Sequence, residues 1–191
     1  MTAPMASTPH SVATERLTSL VAEIREVVGR GMPPDLTARL VAERLAPHLA
    51  AADLLTPGQR AGDPRHYRQH LLHAEHDGGF SIVALVWLPG QRTPVHDHVA
   101  WCTTGVHEGI EHERRYRLVP AASDGGGQAR LARVSDAAGE AGTVAALAPP
   151  GDIHRVWNPG PGKAISLHVY GADISRLGTS VRRVYRLPAD L

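Results

Sequence analysis

GQRTPVHDHVAWCTTGVHEG, residues 90–109, decides how the rest of the chain reads. It holds two histidines, His96 and His98, with Asp97 between them. Side chains on a strand alternate faces, so His96 and His98 aim at one point and Asp97 points away. Two neutral imidazoles on one point suit a divalent transition metal.

The flanks set this stretch among short strands. Upstream, Tyr67 to His73 and the strongly apolar FSIVALVWL, Phe80 to Leu88, read as strands. Trp101 to His107, Ile110 to Leu118, Ala129 to Val134, Thr143 to Leu147, Ile153 to Trp157, Ala164 to Tyr170 and Val181 to Leu187 follow. Turn signals separate them: Asp77-Gly78-Gly79, Pro89-Gly90, Asp124-Gly125-Gly126-Gly127, Pro149-Pro150-Gly151-Asp152 and the 158–162 run. Many short strands at close spacing predict a sandwich or barrel.

Before residue 56 the period is helical. Leu17, Leu20, Val21, Ile24, Val27 and Val28 predict an amphipathic helix from Val12 to about Val28, stopped by Gly29 and Gly31. Asp35 is expected to cap a second helix reaching about Ala51, with Pro47 shortening or kinking it. Residues 1–11, rich in Pro, Ser and Thr, are expected to be disordered. The prediction is one domain over 1–191: a helical segment at 12–51, then a barrel over 65–187.

Composition narrows the function. The chain has 191 residues, 42% of them hydrophobic and 20% charged, which can bury a sizeable core. A formal net charge of +1, without a basic block, argues against nucleic acid as partner. No apolar run approaches the ~20 residues of a membrane span, and the first ten residues lack the pattern of a secretory leader. Cys102 is the only cysteine, which excludes an intrachain disulfide and fits a cytoplasmic location. Oligomeric state is left open.

A third ligand comes from PGDIHRVWN, residues 150–158, a tight turn leading to His154. Gly90-x5-His96-x-His98 and Pro150-Gly151-x2-His154-x3-Asn158 together resemble the two signature motifs of the cupins. The resemblance implies a mainly β fold, a jelly-roll barrel behind two N-terminal helices, with one metal ion held by His96, His98 and His154. The glutamate that usually follows HxH in cupins is missing. Cys102 and Thr103 stand there, and Glu108, Glu111 and Glu113 come too late to replace it. Three neutral donors leave the full +2 charge on the metal, which favours an anionic ligand such as a thiolate.

Ser166, His168 and Tyr170 lie at alternate positions of ISLHVY and share one face of a strand. They form either a hydrogen-bond relay or an inward polar stripe. Beside three histidines the pattern resembles the thiol dioxygenases. That implies an Fe(II) enzyme acting on a small thiol and O2, with Tyr170, His168 and Ser166 as its relay. In Tyr67-Arg68-Gln69-His70-Leu71, Gln69 falls where cysteine dioxygenases carry a carboxylate-binding arginine. A glutamine there resembles the 3-mercaptopropionate dioxygenase branch and implies that Gln69 binds the substrate tail, unless a bulge brings Arg68 into register.

Cysteine dioxygenases can link a cysteine of this strand to the relay tyrosine. The spacing from His98 differs here by about one residue, which turns Cys102 to the other face. An ordinary buried cysteine is therefore expected, with a Cys102–Tyr170 thioether as the alternative. Cysteine dioxygenase, another metallocupin chemistry and a non-catalytic metal-binding cupin remain open. Trp87 and Trp157 are expected in the core or pocket wall. His10, His48, His66, His73, His76, His107 and His112 are expected at the surface or in packing.

Overall fold

The computed structural model describes residues 5–6, 13–121, 128–186 and 188. Helix α1 (Glu15–Val28) begins where the Thr14 side chain accepts a hydrogen bond from the Leu17 amide. It buries the five apolar residues from Leu17 to Val27 that its period marked out. Helix α2 (Pro34–Leu45) starts earlier than expected. Its N-cap is Pro33, and Asp35 lies inside the first turn, paired with Arg39. The preference for proline in the first turn of a helix explains the shift, since Pro34 needs no N–H there. The helix also ends at Leu45, and Ala46–His48 form a 3-10 turn. Pro47 lacks the N–H that would continue the α-helical ladder.

The strands form two sheets. The first has the order β1 (Met5–Ala6), β2 (Arg68–Ala74), β3 (Ser81–Trp87), β10 (Ala164–Tyr170), β5 (Cys102–Glu108), β8 (Val144–Leu147). The second has the order β11 (Val181–Val184), β4 (His96–His98), β9 (His154–Trp157), β6 (Ile110–Val119), β7 (Arg130–Glu140). Every pairing is antiparallel except β1 with β2. A short helix, α3 (Ile174–Leu177), lies between β10 and β11. This is the double-stranded β-helix of the cupins, mainly β, with two N-terminal helices.

The first sheet is buried on both faces. Ile82, Ala84 and Val86 of β3, with Ile165, Leu167 and Val169 of β10, share a core with both helices. Val83, Leu85 and Trp87 point the opposite way, into the barrel, where they join Cys102, Val156 and Tyr170. This two-sided burial explains why FSIVALVWL is continuously apolar rather than alternating.

Three expectations change. Strand β7 continues to Glu140, beyond the expected end at Val134, because it pairs with β6 along its length. Its exposed polar residues mask the period. β11 ends at Val184, short of the expected Leu187, which itself lies outside the described residues. Met5–Ala6 pair with Gln69 and His70, contrary to the disorder expected of them. The rest of 1–11, and the 124–127 turn, lie outside the described residues.

Candidate metal centre

The pairing of β4 with β9 puts His154 directly opposite His96, and His98 lies two residues along on the same face. The three rings meet at centroid separations of 4.6 to 4.9 Å. One ring nitrogen from each lies within 4.8 Å of the others, and all three residues are buried. Asp97 points the other way, as the alternation requires, and bonds Arg182 and Tyr185.

Each Nδ1 faces an oxygen. His96 Nδ1 lies 3.0 Å from the Pro94 carbonyl, His98 Nδ1 3.1 Å from Asp152 Oδ2, and His154 Nδ1 2.7 Å from Glu113 Oε1. An Nδ1–H donating to each oxygen fixes the tautomer and leaves the Nε2 lone pairs for a ligand. Among the described residues, His154 Nε2 is buried with no hydrogen-bond partner. Such an atom calls for an occupant, and a divalent metal fits a set of converging Nε2 lone pairs. Burial, reinforced by the neighbouring imidazoles, holds His96 and His154 well below the usual histidine range. They are therefore neutral at pH 7, as metal ligands must be.

Sequence reasoning missed Glu113 and Asp152. Glu113 comes too late to be a ligand, and it acts on one instead, through His154. Its other oxygen takes Arg115 at 2.8 Å. The Asp152 carboxylate also accepts the His98 amide at 2.9 Å. Burial alone would raise its pKa, but the bonds from His98 prevail and lower it. The only signal for Asp152 was its place two residues before His154 in a turn.

Ser166, His168 and Tyr170 all point into the barrel beside the histidines. Ser166 Oγ lies 3.1 Å from His168 Nε2, and Tyr170 Oη lies 3.2 Å from His168 Nδ1. Trp87, expected in the core or pocket wall, extends this row by donating its indole N–H to Ser166 Oγ at 3.1 Å. The Tyr170 ring lies 5.9 Å from that of His98. Burial, with Cys102 nearby, pushes the Tyr170 phenol well above its ordinary pKa, so it stays protonated.

The cavity over the three histidines encloses ≈ 30 Å³ of free space. Gln69 lines it, facing inward beside Leu85, its partner on β3. Arg68 does not line it. Among the described residues, no Lys or Arg lines this cavity; its other polar groups include Thr93, Thr179 and Ser180. Cys102 departs from its expected face. It is the direct partner of Tyr170 across β5 and β10, and the two side chains share the interior. Residues 99–101 lie outside any strand, so the alternation from His98 does not carry through to Cys102. Burial pushes the Cys102 thiol well above its usual pKa.

Trp157 lies on the outer face of the barrel, stacked on His112 at 4.2 Å, rather than in the core or the wall of this cavity. His48 and His107 are tied to Glu23 and to the Leu49 carbonyl, away from the centre. His10 lies outside the described residues.

No known family model matches the chain. Among solved structures it is similar to a cupin 2 conserved barrel domain protein from Salinispora arenicola CNS-205. The identity is 22% over 61% of this chain and 83% of that one, with a TM-score of 0.41. It is also similar to an uncharacterized conserved protein with a double-stranded β-helix domain from Klebsiella pneumoniae. There the identity is 17% over 64% of this chain and 87% of that one, with a TM-score of 0.45. An oxalate oxidase structure matches at 20% identity and a TM-score of 0.38 over 50% of this chain; the chain spans 43% of that protein's length. By fold and site the chain is a cupin-fold protein with a buried three-histidine site that can hold a metal ion.

Proposed function

We propose that this protein is an Fe(II)-dependent thiol dioxygenase that converts a small thiol, 3-mercaptopropionate before others, to its sulfinate. The reaction is R–SH + O2 → R–SO2⁻ + H⁺. One observation carries the reading: among the described residues, three histidines without a carboxylate ligand share a small cavity with His168 and Tyr170, and Ser166 and Trp87 extend that row behind His168. When held by His96, His98 and His154, Fe(II) supplies a +2 charge that draws in a thiol as its thiolate, and open positions where O2 can react beside it.

The chain's own residues then have distinct tasks. Tyr170, kept protonated by burial, offers a hydrogen bond at its phenol oxygen and is placed to relay a proton there. His168 orients that phenol, and Ser166 and Trp87 orient His168. Gln69 is placed to hydrogen-bond the substrate tail and fix its direction. A tail carboxylate would be met by the Gln69 amide and neighbouring hydroxyls rather than by a guanidinium. This supports 3-mercaptopropionate over cysteine, since Gln69 stands in the lining where an arginine fork would serve cysteine and, among the described residues, no arginine lines the cavity.

The test is anaerobic reconstitution with Fe(II), then oxygen uptake with 3-mercaptopropionate, L-cysteine and cysteamine in parallel, with mass analysis of the product. The expected outcome is a sulfinate, formed fastest from 3-mercaptopropionate. A faster reaction with L-cysteine would make this a cysteine dioxygenase. No uptake with any thiol, in protein holding one iron per chain, would remove the reading and leave a non-catalytic metal-binding cupin or another chemistry. Because Cys102 faces Tyr170, tryptic mass mapping also distinguishes a thioether-linked pair from two separate peptides.

A further inference from the structure

The barrel has a second opening, behind the relay. A cavity of ≈ 250 Å³ lies between β5, β6, β7 and β8, and Thr104, Glu111, Ser135, Ala137 and Ala138 are among its walls. Ser135, Ala137 and Ala138 are exposed, so water reaches it. Thr104 is the cross-strand partner of His168, so the cavity comes up against the far side of that residue from the metal site.

Glu111 is the unusual group there. It is 6% exposed, and its Oε2 is buried with no hydrogen-bond partner among the described residues. That oxygen lies 4.0 Å from His168 Nε2. The next inward residue on β6, Glu113, is fully engaged by His154 and Arg115. A carboxylate oxygen held out of water without a donor is costly. The cost is understandable if Glu111 exchanges protons with the imidazole it faces.

We propose that Glu111 is the solvent-side end of the Tyr170–His168 relay and carries protons between His168 and water in the rear cavity. The source of the proton rests on the thiol dioxygenase reading, in which each turnover releases one proton inside a small, buried site. The route itself depends only on the residues. Tyr170 passes its phenol proton to His168 Nδ1 and takes the substrate thiol's proton in return. His168 gives the proton on Nε2 to the Glu111 carboxylate, and Glu111 gives it to water. One proton enters and one leaves at each group, and His168, left as its Nδ1–H tautomer, returns to Nε2–H by exchanging one proton for another with water before the next turnover. Ser166 Oγ has two lone pairs, so it can accept from Trp87 and from His168 Nε2–H together, which orients that N–H at rest. The gap to Glu111 is closed by a small side-chain rotation or one bridging water.

The test uses zinc-loaded protein first, because zinc has no redox chemistry and the route is then read without turnover. NMR measures exchange of the His168 ring N–H with water in wild type, Glu111→Gln and Glu111→Ala. The expected result is exchange slowed at least about 100-fold in both variants, the low end of what a positioned proton-transfer group contributes. Added formate should restore it in Glu111→Ala, where the cavity is open, and not in Glu111→Gln. Wild-type exchange in Glu111→Gln would overturn the proposal, as would slowed exchange in Glu111→Ala that formate leaves unchanged.

With Fe(II) and 3-mercaptopropionate, kcat of Glu111→Gln should fall about 100-fold while KM stays within about twofold. If wild type oxidises no thiol while exchange still slows in Glu111→Gln, the route stands and the thiol reading falls. If wild type turns over and Glu111→Gln matches it in both kcat and exchange, the route falls.

Discussion

At the scale of single residues, the centre divides into atoms that bind and atoms that hold the binders. Glu113 belongs to the second group, because its carboxylate fixes the His154 tautomer. Glu113→Gln keeps the shape and removes the charge, and partners of this kind typically control about 10- to 100-fold in metal affinity. Competition with a chelator should show a weakening in that range with the fold intact. Tyr170 is in neither group. Tyr170→Phe should keep the metal and lower thiol turnover by about 100-fold, as loss of a positioned proton-transfer group does. Metal content and oxygen uptake on one preparation check this; wild-type turnover would make the relay a structural stripe only.

At the scale of elements, β10 connects the helical layer to the site. Its odd-numbered residues pack under α1 and α2, while Ser166, His168 and Tyr170 face inward. The relay is thus aligned by a strand held on both faces. Gly105 on β5 shows how closely the helices press on this sheet. A Cβ there would lie 2.8 Å from Leu45 Cδ2 and 2.9 Å from both Leu49 Cδ atoms. Gly105→Val should therefore push the end of α2 outward and destabilise the fold by about 1–3 kcal/mol, the usual range for overpacking. Urea unfolding would measure the loss, and metal affinity should change little, because the clash is on the helix side.

At the scale of the whole molecule, Asp97 ties β11 to the sheet that carries the histidines. Its side chain is 1% exposed, and Oδ2 accepts from Arg182 at 2.6 Å and Tyr185 at 2.9 Å, with Arg183 close by. Burial raises its pKa, but these partners outweigh it and the net shift is downward. The sign follows. A carboxylate with a depressed folded pKa contributes its stability fully above the unfolded value of about 3.9, and loses it as pH falls through the lower folded value. Asp97→Asn should cost about 2 kcal/mol at pH 7, the order expected for hydrogen bonds to a charged group. The difference between variant and wild type should shrink below about pH 4, which denaturant midpoints at several pH values would reveal.

Local pattern alone determined much of this protein. The HxH spacing, the turn before His154 and the alternation in ISLHVY each set the face of a side chain, because strand geometry has a period of two. The helices were legible from their own period, whereas Gln69 was marked only by the family resemblance, with Arg68 as its alternative. Other features depended on which segments meet. Glu113 reaches His154 because β6 pairs with β9, and Asp152 reaches His98 because the turn before β9 folds against β4. Cys102 faces Tyr170 because β5 pairs with β10 in that register, and the non-strand residues 99–101 break the alternation from His98. Glu111 and the rear cavity arise where β5, β6, β7 and β8 close the other end of the barrel. Periodicity fixes direction within one strand; only the register between strands brings together groups that lie far apart along the chain.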